Sequence, residues 1–507
     1  MGFGKNDTGT LFRERTTRAA TQSRPVAEPA AAPSIAAPAN AAPSAAIAAN
    51  TMPANTMPAN TMPANAAPSN VASSNSGGVA FAGLYLFTLM LYLRPSDLLP
   101  IGSFPLVKIV AIVTLIAYVG VQMSRGKALT VWPVEMKMLA VIVLLGVLFT
   151  PIAASPQLSI ETLTDSFFKV VTVFVLMINL INTRARLVAL MKLVVFCGVF
   201  VALLTLKSFL AGELVTDEAR TLERTAGYGV FFANPNELAM ALNLILPFAV
   251  VFGLLSKGFK RLAYFGCAAV LAFAVVVSFS RGGFLGLVAI GGVVLWNAGR
   301  GRRAVTVLAG LVLCAAFLVA MPSGYSDRLF TILHTQDDQT HSAQERQELL
   351  QRAVEVVMSH PVVGVGVGNF GIYSLSQKVA HNSYLEIAAE LGVIGFIAYM
   401  ILLVAPLRTL RRIERDAYRG RGQPGGWSAT ARETFFLSIG LQAVIVAYMV
   451  LSFFQSAEYM WYLYYPVAYA VALRVICANE ASEATTEAPA ASQSNRNAPQ
   501  GALWKSA

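Results

Sequence analysis

Apolar runs of about 15 to 25 residues recur along this chain, and any fold must accommodate them first. Each run can cross a ~30 Å hydrocarbon layer as a helix. They fall at 79–94, 103–122, 134–153, 166–182, 187–209, 237–255, 260–280, 282–299, 304–321, 383–405, 433–454 and 459–477. Barrel strands would instead alternate in character over only about ten residues. Only 13% of the 507 residues are charged, against roughly 25% in soluble domains, and 56% are apolar. A water-soluble enzyme of this length is thereby excluded. The expectation is an all-α polytopic membrane protein with about 12 transmembrane helices.

The ends differ from this core. Residues 1–78 are rich in Ala, Pro, Asn and Ser and carry the repeat Thr51-Met52-Pro53-Ala54-Asn55, which recurs at 56 and 61. So little apolar surface cannot offset the entropy of ordering, and the segment reads as a disordered spacer. No signal peptide is expected, because the first apolar run starts only near Val79. The stretch 479–507 reads as a second disordered tail, and 79–478 as the membrane domain.

Lys and Arg outnumber Asp and Glu by 38 to 27, a net +11. The surplus gathers in alternate loops: Arg125 and Lys127; Arg184 and Arg186; Lys257, Lys260 and Arg261; Arg300, Arg302 and Arg303; then Arg408 through Arg421. Such loops mark the cytoplasmic side, which places both termini inside. No loop joins a basic face to interleaved aromatics, so no nucleic-acid partner is expected.

Two loops on the opposite side are long, one from Ala211 to Asn236 and one from Pro322 to Asn382, between the ninth and tenth runs. In the second, Leu349, Leu350, Val354 and Val357 give Ala343–Met358 one apolar helical face, suited to lying across the membrane surface. A Gly-rich run follows, His360-Pro361 through Asn369-Phe370, in which backbone can approach a neighbour closely. Cys197, Cys267, Cys314 and Cys477 fall in or beside apolar runs and read as packing residues. His334, His341, His360 and His381 all lie in the large outer loop, without metal-ligand spacing, so no metal is expected.

His381 stands where the tenth run begins, with Asn382 or Ser383 as helix cap, and a neutral imidazole there can take a proton near neutral pH. A plain surface-loop histidine is the competing reading. Glu386 and Glu390 follow one turn apart, where an ion pair or interhelical hydrogen bond competes with direct catalysis. Arg220, Arg224 and Arg281 lie on the same side, and guanidinium suits a phosphate-like ligand. A loop salt bridge with Glu213, Asp217 or Glu218 competes for Arg220, and snorkelling to the interface competes for Arg281.

Four stretches then stand in order on one side. They are Arg224-x-x-Gly227 with Asn234-Pro235-Asn236-Glu237; Ser280-Arg281-Gly282-Gly283; the His360–Phe370 run; and His381-Asn382-Ser383-Tyr384-Leu385-Glu386 with Glu390. Together they resemble the O-antigen ligase / O-antigen polymerase superfamily, over roughly Leu84 to Ile476. The resemblance implies a GT-C-type membrane glycosyltransferase of the bacterial inner membrane, with its site facing the periplasm. Its donor would be a glycan on undecaprenyl diphosphate and its acceptor a lipid or glycan hydroxyl, with neither cofactor nor metal. By resemblance His381 is the base or acceptor-orienting group, and Arg224 and Arg281 hold the diphosphate. Arg220, Asn234, Asn236, Asn369, Asn382 and Glu386 are the substrate-binding candidates. Ligation to a lipopolysaccharide core is the first expectation, with repeat-unit polymerisation or protein O-glycosylation as alternatives. A transporter or flippase is the reading from another class. It would place polar groups near the midplane, whereas most of these sit at the outer rim.

Overall fold

The structure is a computed structural model that describes residues 78–93, 106–126, 128–212, 234–298, 342–374, 377–422 and 426–494, the short pieces 215–216 and 223–224, and isolated residues near 304–310. The chain divides into the units Met1–Asn70 and Val71–Ala507, and every described residue lies in the second. The repeat-bearing tail, nearly all of the run 304–321, Arg220, Cys314, His334, His341 and the chain after 494 lie outside the described residues.

Helices make up the fold: α1 Gly78–Leu93, α2 Leu106–Ser124, α3 Val134–Phe149, α4 Pro156–Leu180, α5 Arg184–Leu210, α6 Pro235–Leu255, α7 Gly258–Val277, α8 Arg281–Ala298, α9 Ser342–Ser359, α10 Ser383–Arg419, α11 Ala429–Leu451 and α12 Trp461–Ser494. One two-residue antiparallel ladder, β1 Val215–Thr216 with β2 Glu223–Arg224, sets Val215 opposite Arg224. Among the described residues nine helices are long and apolar enough to cross a membrane, and α1 and α8 are shorter apolar helices. Every apolar run other than 304–321 coincides with one of them.

The helix ends depart from the apolar runs in three places. α4 begins at Pro156, well before 166, because the Ser155 hydroxyl caps it by accepting from the Leu158 N–H, with proline in the first turn. α10 continues past 405 to Arg419, and α12 runs through the expected tail to Ser494. Hydropathy reports where lipid ends, whereas charged and polar residues sustain helical hydrogen bonding beyond it. The amphipathic face of α9 is also rotated from expectation. Leu349, Ala353 and Val356 are buried with Val365, Phe370, Ala380 and Ala389, while Val354 and Met358 are exposed. Small Ala353 packs closely where the larger side chains had suggested a different seam.

α6, α11 and α12 are the most enclosed helices, and α2 keeps most of its surface outward. A methyl group on Gly440 of α11 would come within 2.6 Å of Val251 of α6, so glycine sets how near those helices lie. Charges pair at the end that carries the basic loops. Arg474 of α12 grips the buried Glu135 of α3 through two bonds of 3.0 Å, and Arg184 binds Glu480.

α10 is broken near its start. Gly392 has φ 67° and ψ −169°, which frees the carbonyls before it. The Gly-rich run takes them over: Val365 N–H donates to Ala389 O at 2.9 Å and Gly366 N–H to Glu390 O at 3.0 Å. In return Val393 N–H donates to Pro361 O at 2.8 Å. A methyl group on Gly392 would meet Val362 O at 2.2 Å, in a backbone region that L side chains avoid. Gly392→Ala should therefore lower stability by more than about 2 kcal/mol. The check is thermal unfolding of the purified protein, and an unchanged midpoint would mean that the loop and helix part at no cost.

Candidate functional site

The sequence candidates whose side chains are described gather at the end of the bundle opposite the charge pairs. Asn382 caps α10, its side-chain oxygen accepting from the Tyr384 and Leu385 N–H groups at 3.0 Å each. Its amide also donates to Phe453 O at 3.2 Å, in the 452–460 loop between α11 and α12. Ser383 fastens the same loop three times, through Ser383 N–H to Ser452 O at 2.9 Å, its hydroxyl to Gln455 O at 2.8 Å, and Ala457 N–H to that hydroxyl at 2.8 Å. The preceding residue, His381, is half-buried and held at φ 52°.

Arg281 opens α8 on the other side of that loop. A methyl group on the adjacent Gly282 would lie 3.5 Å from Phe454, so the two turns share one packing partner. Ser280 caps α8 by accepting from Gly283 N–H at 3.1 Å and donates to Asn236 Oδ1 at 2.9 Å. Asn234 caps α6 through Asn236 N–H at 2.9 Å. Phe279, like His381, adopts the left-handed region, with φ 54°. Backbone held this way by its surroundings is one mark of a positioned turn.

The remaining candidates divide. Asn369 is fully buried, and its amide is engaged with Ser155 N–H at 2.7 Å, the Ser159 hydroxyl at 2.8 Å and Val367 O at 2.9 Å, which fixes the Gly-rich run to the start of α4. The close approach that this run was expected to make is thus to the protein itself. Methyl groups on Gly366 and Gly368 would strike Ala153 and Thr162. Glu386 is buried and accepts from the Ala380 N–H at 3.0 Å and from the Ser456 hydroxyl, which ties the His381 turn to the 452–460 loop. Arg224 lies in the β-ladder, of which only the backbone is described. The chain carrying it starts and ends at the site, since Phe209 of α5 packs on Phe279 at 6.5 Å and Asn236 meets Ser280.

Sequence reading passed over the 452–460 loop itself. Its signal was Gln455-Ser456-Ala457-Glu458, a polar island between two apolar runs. Glu458 is buried there with Glu386 and Glu390, and one of its carboxyl oxygens has no hydrogen-bond partner among the described residues. Glu390 accepts from Phe370 N–H at 3.1 Å and the Tyr459 hydroxyl at 2.9 Å. Burial pushes the Glu458 carboxyl up to about 8, and the neighbouring Glu390 adds to the shift.

A helical bundle with nine described helices long and apolar enough to cross a membrane, and with polar turns gathered at one end, is the architecture of a multi-pass membrane protein. Residues 266–400 match the family model described as O-Antigen ligase, and over this stretch the chain is similar to that family. The match takes in Arg281, Asn369, His381, Asn382 and Glu386 and stops short of the 211–236 loop. No curated protein matches the chain. The motif-based resemblance therefore holds over that stretch, and the long apolar helices fit a multi-pass membrane protein.

Glu458 gives a pH prediction. Folding raises its pKa, so between about 4.5 and 8 the folded chain holds a proton that the unfolded chain releases. Stability should fall as pH rises through that window, by up to about 1.4 kcal/mol per unit. Glu458→Gln should flatten the dependence and gain on the native chain at pH 8. Melting curves across the window check this, and parallel profiles for the two proteins would count against it.

Proposed function

We propose that this protein transfers a glycan from a polyprenyl-diphosphate carrier to an acceptor hydroxyl at the outer face of the bacterial inner membrane, as an O-antigen ligase-like enzyme with a lipopolysaccharide core as acceptor. The observation that carries this reading is the packing of the His381 and Arg281 turns on one loop, with Phe453 bound by Asn382 and Phe454 against Gly282.

The chemistry follows from the groups. The acceptor oxygen attacks the anomeric carbon, and its bond forms as the bond from that carbon to the diphosphate oxygen breaks. His381 takes the hydroxyl proton, and the left-handed backbone fixed by Asn382 and Glu386 aims its imidazole. Charge developing on the departing diphosphate is met by Arg281, with Arg224 brought in by the 211–236 loop. Asn234 and Asn236 belong to the wall around the diphosphate, and Arg220 is a further candidate ligand for it. Diphosphate is a good leaving group, so arginine charge suffices without a metal, and a single displacement inverts the anomeric centre. The basic loops face the cytoplasm in this arrangement, with both termini inside.

Complementation tests the proposal in strains lacking either a ligase or a repeat-unit polymerase, scored by glycan banding on the lipid. Restored banding in the ligase strain alone is the expected result, and rescue of only the polymerase strain would reassign the acceptor. His381→Ala and Arg281→Ala should each lower transfer by about 10²-fold or more at unchanged expression and melting temperature. Full activity in both would remove the mechanism.

A further inference from the structure

A groove of about 320 Å³ opens on the side of the bundle where α1, α2, α4 and the start of α12 meet. Leu91, Val107, Val173, Met177, Lys169 and Trp461 are among its walls. Three observations give it a direction. Along α4 the lining runs from Asp165 at the outer end to Met177, about 18 Å at the helical rise, close to the ~15 Å depth of one leaflet. On α4 its polar side chains, Asp165, Ser166 and Lys169, lie toward the outer end, and the deeper α4 side chains are apolar.

The second observation is charge. Lys108 pairs with Asp165 at 3.5 Å, whereas Lys169, one turn deeper and half-buried, makes no direct hydrogen bond or ion pair among the described residues and shares the field of Asp165 with Lys108. An ammonium near hydrocarbon calls for an anion. The third is Trp461, which is 8% exposed and whose indole Nε1–H has no acceptor among the described residues. A buried donor without an acceptor costs free energy that a ligand oxygen would recover. Helix α4 also passes through a π turn at Thr162–Phe167, which sets Ser166 on the groove while Phe167 packs on Tyr459 and Tyr464.

The geometry points to a binding site for an anionic glycerophospholipid of the outer leaflet. Its phosphate lies on Lys169, an ester or phosphate oxygen accepts from Trp461, and one acyl chain descends past Val173 to Met177. The donor diphosphate of the proposed reaction is assigned to the arginines beyond the 452–460 loop, so this lipid is a second ligand. Its seat adjoins that loop, because Tyr459 lines the groove and hydrogen-bonds Glu390. Occupancy therefore steadies the loop that carries Glu458, whether or not glycan transfer is the activity.

The test uses the full chain, purified in a neutral detergent and probed by native mass spectrometry and thermal shift. Phosphatidylglycerol should stay bound and raise the melting temperature, while phosphatidylcholine and glycerol phosphate without acyl chains should do neither. Lys169→Met should weaken phosphatidylglycerol retention about fivefold to tenfold, and Lys169→Arg should restore it. Val107→Trp, which fills the groove from its lipid-facing wall, should abolish retention with the apo melting temperature unchanged. Equal retention of phosphatidylcholine, or of phosphatidylglycerol by the Lys169→Met protein, would overturn the proposal. Displacement of phosphatidylglycerol from the native chain by a polyprenyl phosphate that is itself retained by the native chain and not by Val107→Trp would overturn the choice of occupant. Glycan transfer lost in His381→Ala with lipid retention intact would separate the two sites.

Discussion

A helix that breaks inside an apolar bundle must find partners for the backbone groups it frees, and α10 meets that demand at Gly392. Water is scarce there, so each orphaned carbonyl would cost several kcal/mol. The solution is a second piece of chain. Val365 and Gly366 donate to the carbonyls of Ala389 and Glu390, and Pro361 accepts from Val393. That run must lie flush against α10, which is why Gly364, Gly366 and Gly368 all have positive φ and no room for a methyl group. Asn369 then fastens it to α4, and Phe370 N–H meets the Glu390 carboxylate. The first turns of α10, with His381 just before them, are in this way built into a frame of three elements.

Much of that frame could be read from the residues, and the unreadable part has a common cause. Apolar runs located the helices because lipid imposes length and continuity. The cap at Asn382 was legible because an Asn before an apolar run is a local signal, satisfied by the next few amides. The break at Gly392 was not, since the N–H donors to its freed carbonyls belong to Val365 and Gly366, about 25 positions earlier, and no local pattern announces a pairing at that distance. Likewise the 452–460 loop matters through Ser383 and Asn382, far away in sequence. Glycines at 364, 366 and 368 gave the correct inference of close approach and the wrong neighbour. Periodicity misplaced the seam of α9 because it counts large side chains, and here Ala353 does the packing.

Exposed ion pairs such as Lys108–Asp165 occur at the outer end too, but the buried carboxyls are held differently at the two ends. At the basic-loop end, cations meet carboxylates directly, as in Arg474 with Glu135 and Arg184 with Glu480. At the other end, Glu386, Glu390 and Glu458 are held by backbone N–H groups and by serine or tyrosine hydroxyls. Burial raises the pKa of Glu458, which lies in the loop outside the spans. The first arrangement clamps helices, while the second leaves titratable groups beneath the turns proposed for chemistry.

The Glu135–Arg474 clamp joins residues 339 positions apart. A ribosome making this chain releases α3 long before α12 exists. Until the last span is inserted, the carboxylate at the start of α3 must keep water beside it. The first and last parts of the bundle are thus coupled in biogenesis, and a nascent chain truncated before Arg474 carries an unneutralised acid at the membrane edge. A contact between one of the first spans and the last can thus close only when the whole bundle is in place.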